Sequence, residues 1–139
     1  MDYSTPWIVK TQRALDAAYG SSAFYEYYRD ELYDILNSRP ERLIDLNSAL
    51  TAFLLRKFGI PVELKHTDAY IEPGDTDYGT DLRALIHPKR KNGILHELGI
   101  EKPYFQVFSC KYGFTSGLSA IDLLFNEGPE SCSYLKPRR

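Results

Sequence analysis

The sequence is poor in cysteine, with only Cys110 and Cys132 among its 139 residues. The two thiols do not form a Cys-x-x-Cys pair, and so small a number argues against a disulfide-stabilised secreted protein. The N-terminal residues MDYSTPWIVK also lack the basic and then apolar layout of an export signal. These absences predict a cytoplasmic protein with free thiols.

Long hydrophobic runs and an excess of one charge are missing as well. No apolar stretch approaches the ~20 residues that span a bilayer, so we expect no membrane insertion. Lys and Arg number 17 against 19 for Asp and Glu, which gives a net charge of -2. Because a basic surface is the usual electrostatic signature of nucleic-acid binding, we expect no nucleic-acid partner.

What the sequence does contain is typical of a single globular domain covering 1–139. The hydrophobic share of 43% and the charged share of 26% are ordinary for such a domain. Eleven tyrosines raise the aromatic share to 14%. Tyrosines occur both at binding surfaces and on half-buried helix faces, and we favour the second interpretation.

Three amphipathic helices are predicted in the N-terminal part of the chain. The first has Thr5 as its cap and Pro6 at its first position, and it ends at Gly20. The second lies in SSAFYEYYRDELYDILNS at 21–38, where apolar residues recur at helical spacing. The third is expected to begin at Ser38, because Glu41 completes a capping-box pattern, and to end at Gly59.

Two short strands are predicted after these helices. IPVELKH at 60–66 and KPYFQVFS at 102–109 both alternate in the strand pattern. Two short strands alone do not make a stable sheet, so they should pair beneath the helices or with strands from another chain. The expected fold class is therefore α/β: helix-rich, with three N-terminal amphipathic helices, a small sheet and a short buried C-terminal helix.

The segment HPKRK at 87–91 is the strongest candidate for binding an anion. Arg83 precedes it by one helical turn, and guanidinium and ammonium groups together suit a phosphate or a carboxylate. A solvated basic loop is the alternative, and it is favoured on the pattern alone. The pair Asp81 and Arg83 likewise has the ordinary interpretation of an acid at a helix start and an exposed ion pair.

Metal and cofactor motifs are weak throughout the chain. His96 and Glu97 begin a zinc-protease pattern, but Ile100 stands where the second histidine is required. His66 and His87 are too far from them in sequence to suggest a shared metal. No metal site and no cofactor are therefore predicted.

The stretch LSAIDLLFNEGPES at 118–131 predicts a short buried helix with clear ends. Ser119 can cap its start with Asp122 three residues on, and Gly128 followed by Pro129 can end it. Asp122 and Glu127 could serve a ligand instead, but the spacing alone favours a structural role.

Several segments of the chain resemble the WbqC-like family in order and spacing. They are STPW, SSAFYEYY, DLN, DLRALIHPKRK, YFQVFSCKYGF and LSAIDLLFNEGPES, spread from Asp2 to about Leu135. The family is associated with bacterial surface-polysaccharide gene clusters of the O-antigen type. The resemblance therefore implies a transferase of polysaccharide biosynthesis, including the proposed transfer of glycine or another aminoacyl group onto a sugar.

The resemblance also directs attention to particular residues and partners. Asp122 and Glu127 become the catalytic candidates. The substrate-binding candidates are Asp81, Arg83, His87, Lys89 and Asn126. The expected partner is a small-molecule nucleotide-sugar or acyl donor.

Two departures from the family pattern leave an alternative open. Tyr112 stands where relatives often have histidine before the Gly-Phe pair. Relatives also usually carry a region before the DYSTPW stretch that supplies strands. The chain could thus be a non-catalytic or truncated fragment that forms a homo-oligomer or pairs with a partner chain.

Overall fold

The three predicted N-terminal helices are confirmed. The protein is described here by a computed structural model that covers residues 1–74, 83 and 93–135. Helix α1 spans Trp7–Tyr19, α2 spans Tyr25–Asn37 and α3 spans Leu43–Lys57. The apolar periodicity of the sequence was sufficient to find all three, because each helix buries one face against the others.

The start of α3 lies later than the capping-box pattern predicts. Ser38 ends α2 instead: its backbone N–H donates to Asp34 O at 3.0 Å, and its hydroxyl donates to Ile35 O at 2.7 Å. Pro40 disfavours a helical backbone at the residue before it, and Arg39 has a φ of 50°. The chain therefore turns here before the next helix can begin.

The predicted α/β class is wrong. Among the residues that the structure describes, every regular element is a helix and no strand forms. The segment 60–66 is irregular, and its residues from Pro61 onwards are exposed. Pro61 also lacks the N–H that a strand ladder needs. The alternating pattern was present, but no neighbouring strand lies within the described part of the chain to use it.

The C-terminal part contains short helices, one of which is the predicted buried helix. Helix α4 spans Ile94–Glu97, α5 spans Ser109–Tyr112, and α6 spans Ala120–Glu127. A 3-10 turn at Gly128–Glu130 then leads into α7 at Ser131–Leu135. Helix α6 buries five of its eight residues, which confirms the buried C-terminal helix.

Helix α6 packs against both α2 and α3 and completes the main core. Phe125 is fully buried, and its ring meets those of Tyr19 and Tyr25 edge to face, each with centroids 5.1 Å apart. The backbone N–H of Phe24 donates to Phe125 O at 2.9 Å, which fixes the turn before α2 to the same helix. The larger core cluster consists of Tyr25, Leu32, Phe53, Phe58, Leu123, Leu124 and Phe125.

Candidate functional site

Helix α6 carries two buried polar side chains, although most of its buried residues are apolar. Asp122 is 5% exposed and Asn126 is 6% exposed. They lie four residues apart, so they occupy the same face of the helix. Burying a carboxylate without partners is costly, so the hydrogen-bond partners of Asp122 indicate which groups this face of the helix binds.

Asp122 binds side chains of the segment before α5. Its Oδ2 atom accepts hydrogen bonds from the Tyr104 hydroxyl at 2.7 Å and from Gln106 Nε2 at 3.1 Å. Ser119 lies at the N-cap of α6 as predicted, but its side chain makes no capping bond. The carboxylate is therefore directed at a neighbouring segment and not at its own helix start.

Glu127 holds the same segment from the other end of α6. Its Oε1 atom accepts the backbone N–H of Phe105 at 3.1 Å. Tyr104 and Gln106 thus bind one helix side chain, and the residue between them binds another. The alternation that predicted a strand thus places Tyr104 and Gln106 against helix α6.

Gln106 also fixes the turn that follows α5. Its Nε2 donates to Thr115 O at 2.9 Å, and its Oε1 accepts the Thr115 N–H at 2.8 Å. A buried side-chain amide that satisfies a backbone in both directions is a rigid tie. Sequence reasoning missed Gln106; the available signal was one polar residue on an inward-facing position of an apolar run.

Asn126 is tied to its own helix through one atom only. Its Nδ2 donates to Asp122 O at 2.8 Å, whereas its buried Oδ1 has no hydrogen-bond partner among the described residues. The bond to a backbone carbonyl four residues earlier orients the amide along the Asp122 face. Asn126, a predicted substrate-binding residue, is therefore held on the same face of α6 as Asp122.

Two tyrosines near Asp122 are strongly held in the neutral form. Burial first, and then the charge of Asp122 and a hydrogen bond to it, raise the pKa of Tyr19 to about 12. Burial and the hydrogen bond to Asp122 likewise raise the pKa of Tyr104. The raised pKa values keep both phenols protonated, and able to donate to Asp122, above pH 10.

A small pocket opens beside this group, and we call it the Asp122 pocket. Its volume is about 200 Å³. This is below the roughly 300–1,000 Å³ of drug-sized ligand sites, so only a small ligand fits. The residues around it are Ala18, Tyr19, Gln106, Val107, Phe108, Tyr112, Gly113, Thr115, Leu118 and Asp122.

The other predicted site residues fall elsewhere. Arg83 donates from Nη1 to Ile71 O at 2.7 Å and from Nη2 to Glu72 O at 3.4 Å, so its guanidinium contacts the preceding loop. Asn126 and Glu127 follow Asp122 on α6 but do not line the Asp122 pocket. Asp81, His87 and Lys89 lie outside the described residues.

Metal-binding clusters and membrane-spanning helices are both absent from the described residues. In 1–74, 83 and 93–135, no group of three or more His, Cys, Asp or Glu side chains could hold a metal ion. Within the same residues, no helix is both long and apolar enough to cross a membrane.

Comparison with known proteins identifies the family. The sequence profile described as the WbqC-like protein family matches residues 1–92. The chain belongs to the WbqC-like family. This confirms the resemblance seen in the sequence, although the match ends before α6, so the DLLFNEGPE motif of the WbqC-like chain lies outside it. Comparison with curated proteins and with solved structures gives no match.

Proposed function

We propose that this WbqC-like protein is a group transferase of bacterial surface-polysaccharide biosynthesis, and that the Asp122 pocket binds one sugar ring of its substrate. The observation that carries the proposal is a buried carboxylate, Asp122, that borders a pocket of about 200 Å³. The family membership supplies the biological context. The pocket supplies the chemistry that a sugar requires.

A sugar ring has hydroxyl groups around its edge and apolar faces above and below. The Asp122 carboxylate and the Tyr19 hydroxyl line the pocket and can accept hydrogen bonds from the edge. Phe108 and Tyr112 line the same pocket and are 51% and 67% exposed, so their rings are accessible to an apolar sugar face. Polar and aromatic side chains therefore meet where a ring of this kind would bind.

In the proposed reaction a sugar hydroxyl attacks the carbonyl carbon of an activated aminoacyl donor. The hydroxyl proton passes to a base, the new ester bond forms, and the donor's leaving group departs with the electrons of the broken bond. Asp122 is the one carboxylate among the described residues that line the pocket, so we assign it to orient the hydroxyl and accept its proton. Glu127 and Asn126 then serve as positioning residues.

The donor would contact the basic segment that the sequence singled out. Groups suited to the anionic part of a nucleotide-sugar or acyl donor are carried by Arg83, His87 and Lys89. Asp81 lies close to them in the sequence. The basic segment is thus the proposed second half of the site, where the donor binds. This proposal predicts that substituting Lys89 weakens binding of an anionic donor and leaves sugar binding unchanged.

A non-catalytic role as one half of a complex is the second candidate. Phe105 and Phe108 are 60% and 51% exposed, and large apolar side chains on one segment favour contact with another chain. Sedimentation velocity tests for such a complex between two copies of the chain. A concentration-dependent dimer that Phe105→Ser dissolves supports the complex, and a monomer at all concentrations contradicts it.

The transferase proposal is tested in the bacterium that carries the gene. Deletion should remove a substituent from a surface polysaccharide, detected by mass spectrometry of the isolated sugar chains. The wild-type gene should restore the substituent, and Asp122→Asn should not. Tyr112→Ala, which changes an exposed residue of the pocket, tests the site without disturbing the core.

Tyr27→Ala is the matched control, because Tyr27 is 80% exposed on α2 and lines neither described pocket. It should restore the substituent fully. A polysaccharide that is unchanged by deletion would contradict the transferase proposal. Full restoration of the substituent by both Asp122→Asn and Tyr112→Ala would contradict the assignment of the Asp122 pocket as the substrate site.

A further inference from the structure

A second, larger pocket adjoins the Asp122 pocket, and we call it the aromatic pocket. Its volume is about 390 Å³, which lies within the roughly 300–1,000 Å³ of small-molecule sites. Leu118 lines both pockets. The proposed sugar ring is assigned to the Asp122 pocket alone, so the aromatic pocket is left for a second ligand.

One wall of the aromatic pocket consists of three rings packed against one another. Tyr104 meets Phe114 at 5.4 Å and Tyr134 at 5.9 Å between centroids, with interplanar angles of 76° and 75°. These edge-to-face contacts hold the rings of the wall at steep angles to each other. A flat aromatic ligand could not stack on all three at once, whereas a flexible chain can follow such a surface.

Half of the other lining residues are aliphatic: Leu95, Ile100, Leu118, Ala120, Leu123 and Leu135. Leu123 is buried, while Leu118 and Leu135 are each 47% exposed. Glu101 and Lys102 also line the pocket, and their charges are of opposite sign. The lining therefore selects an apolar body and gives no strong preference for an anionic or a cationic ligand.

We propose that the aromatic pocket binds the unbranched acyl chain of a fatty acyl ligand, next to the sugar bound in the Asp122 pocket. Aliphatic side chains and steeply angled rings suit a flexible hydrocarbon chain, and the volume suits a chain of medium length. The binding of the chain stands on the aromatic pocket itself. Only its placement beside a sugar rests on the proposed function.

The probes are sodium hexanoate, octanoate and decanoate, titrated below their micelle concentrations into the full chain. Isothermal calorimetry gives the dissociation constants, and methyl-labelled NMR locates the binding. Affinity should rise about fourfold for each added methylene, as expected for a buried hydrocarbon chain. The methyl signals of Leu118 and Leu135 should shift, while those of Leu36, which packs with Ile8 and Leu46 and lines neither described pocket, should not.

Ala120→Leu tests the position of the bound chain. Ala120 is exposed and lines the aromatic pocket, so a larger side chain fills the space without entering the core. This variant should bind octanoate at least tenfold more weakly. Ala17→Leu is the matched control, because Ala17 is an exposed helical alanine that lines neither described pocket. It should bind like the wild type.

Three results would overturn the proposal: no binding of decanoate, an affinity that does not depend on chain length, or equal affinities for Ala120→Leu and the wild type. Failure of the sugar site is recognised separately. Tyr112 lines the Asp122 pocket alone, so Tyr112→Ala should weaken sugar binding and keep octanoate binding, whereas Ala120→Leu should weaken octanoate binding alone.

Discussion

Removing the Tyr104 hydroxyl should measurably loosen the segment that builds the candidate site. In Tyr104→Phe, Asp122 loses the shorter of its two hydrogen bonds to this segment, the one of 2.7 Å, and keeps the bond from Gln106. Hydrogen bonds to charged groups contribute roughly 1.5–3 kcal/mol. Because one donor remains and Tyr104 is only partly buried, we expect a loss near the lower end, about 1.5 kcal/mol.

Urea denaturation followed by circular dichroism measures this loss. Tyr27→Phe is the control, since Tyr27 is largely exposed, and it should change the free energy of unfolding by less than about 0.5 kcal/mol. A double-mutant cycle with Asp122→Asn should show a coupling of about 1 kcal/mol between the two side chains. Equal effects of Tyr104→Phe and Tyr27→Phe would refute the view that Asp122 anchors this segment.

Two further predictions concern the end and the surroundings of α6. Gly128 has a φ of 53°, and an added Cβ would lie 2.5 Å from the ring of Phe24. Gly128→Ala should therefore lower the free energy of unfolding, measured by urea denaturation, by roughly 2–5 kcal/mol. Gly59 has a φ of 64° and open space around it, so Gly59→Ala should lower it by only about 1–2 kcal/mol. Equal losses would contradict the packing of Phe24 against Gly128. Tyr19 has a pKa raised from 10.0 to about 12, so its contribution to stability is present below pH 10 and lost as the pH rises towards 12. In Asp122→Asn the pKa of Tyr19, measured by NMR titration of the tyrosine rings, should fall because the charge of Asp122 is lost. It should stay above 10, because burial is the first cause of the shift. An unchanged pKa would contradict the proximity of Tyr19 and Asp122.

The helices could be predicted because their signals are local. Apolar residues at helical spacing located α1 to α3, and the Gly128-Pro129 pair located the end of α6. The start of α3 was missed because Pro40 and the left-handed backbone at Arg39 override a capping-box pattern that is only four residues long. Boundaries of this kind depend on a single backbone angle, which composition does not reveal.

The sheet was predicted wrongly because alternation records which side chains face inward and not what they face. Tyr104 and Gln106 do face inward, but they meet Asp122 of a helix where a second strand was expected. The same contact explains why Asp122 was recognised as unusual while its partners were missed. Its partners lie 16 and 18 residues away in sequence, and no local pattern joins them.

The most direct test of the central claim is whether the Asp122 pocket binds a sugar ring. Methyl glycosides of common hexoses, titrated into the wild-type protein and followed by NMR, should shift the backbone signals of Thr115 and Gly113. Asp122→Asn and Tyr112→Ala should each weaken the binding at least tenfold, and Tyr27→Ala should leave it unchanged. Wild-type protein that binds no glycoside, or variants that bind as well as the wild type, would contradict the assignment of this pocket.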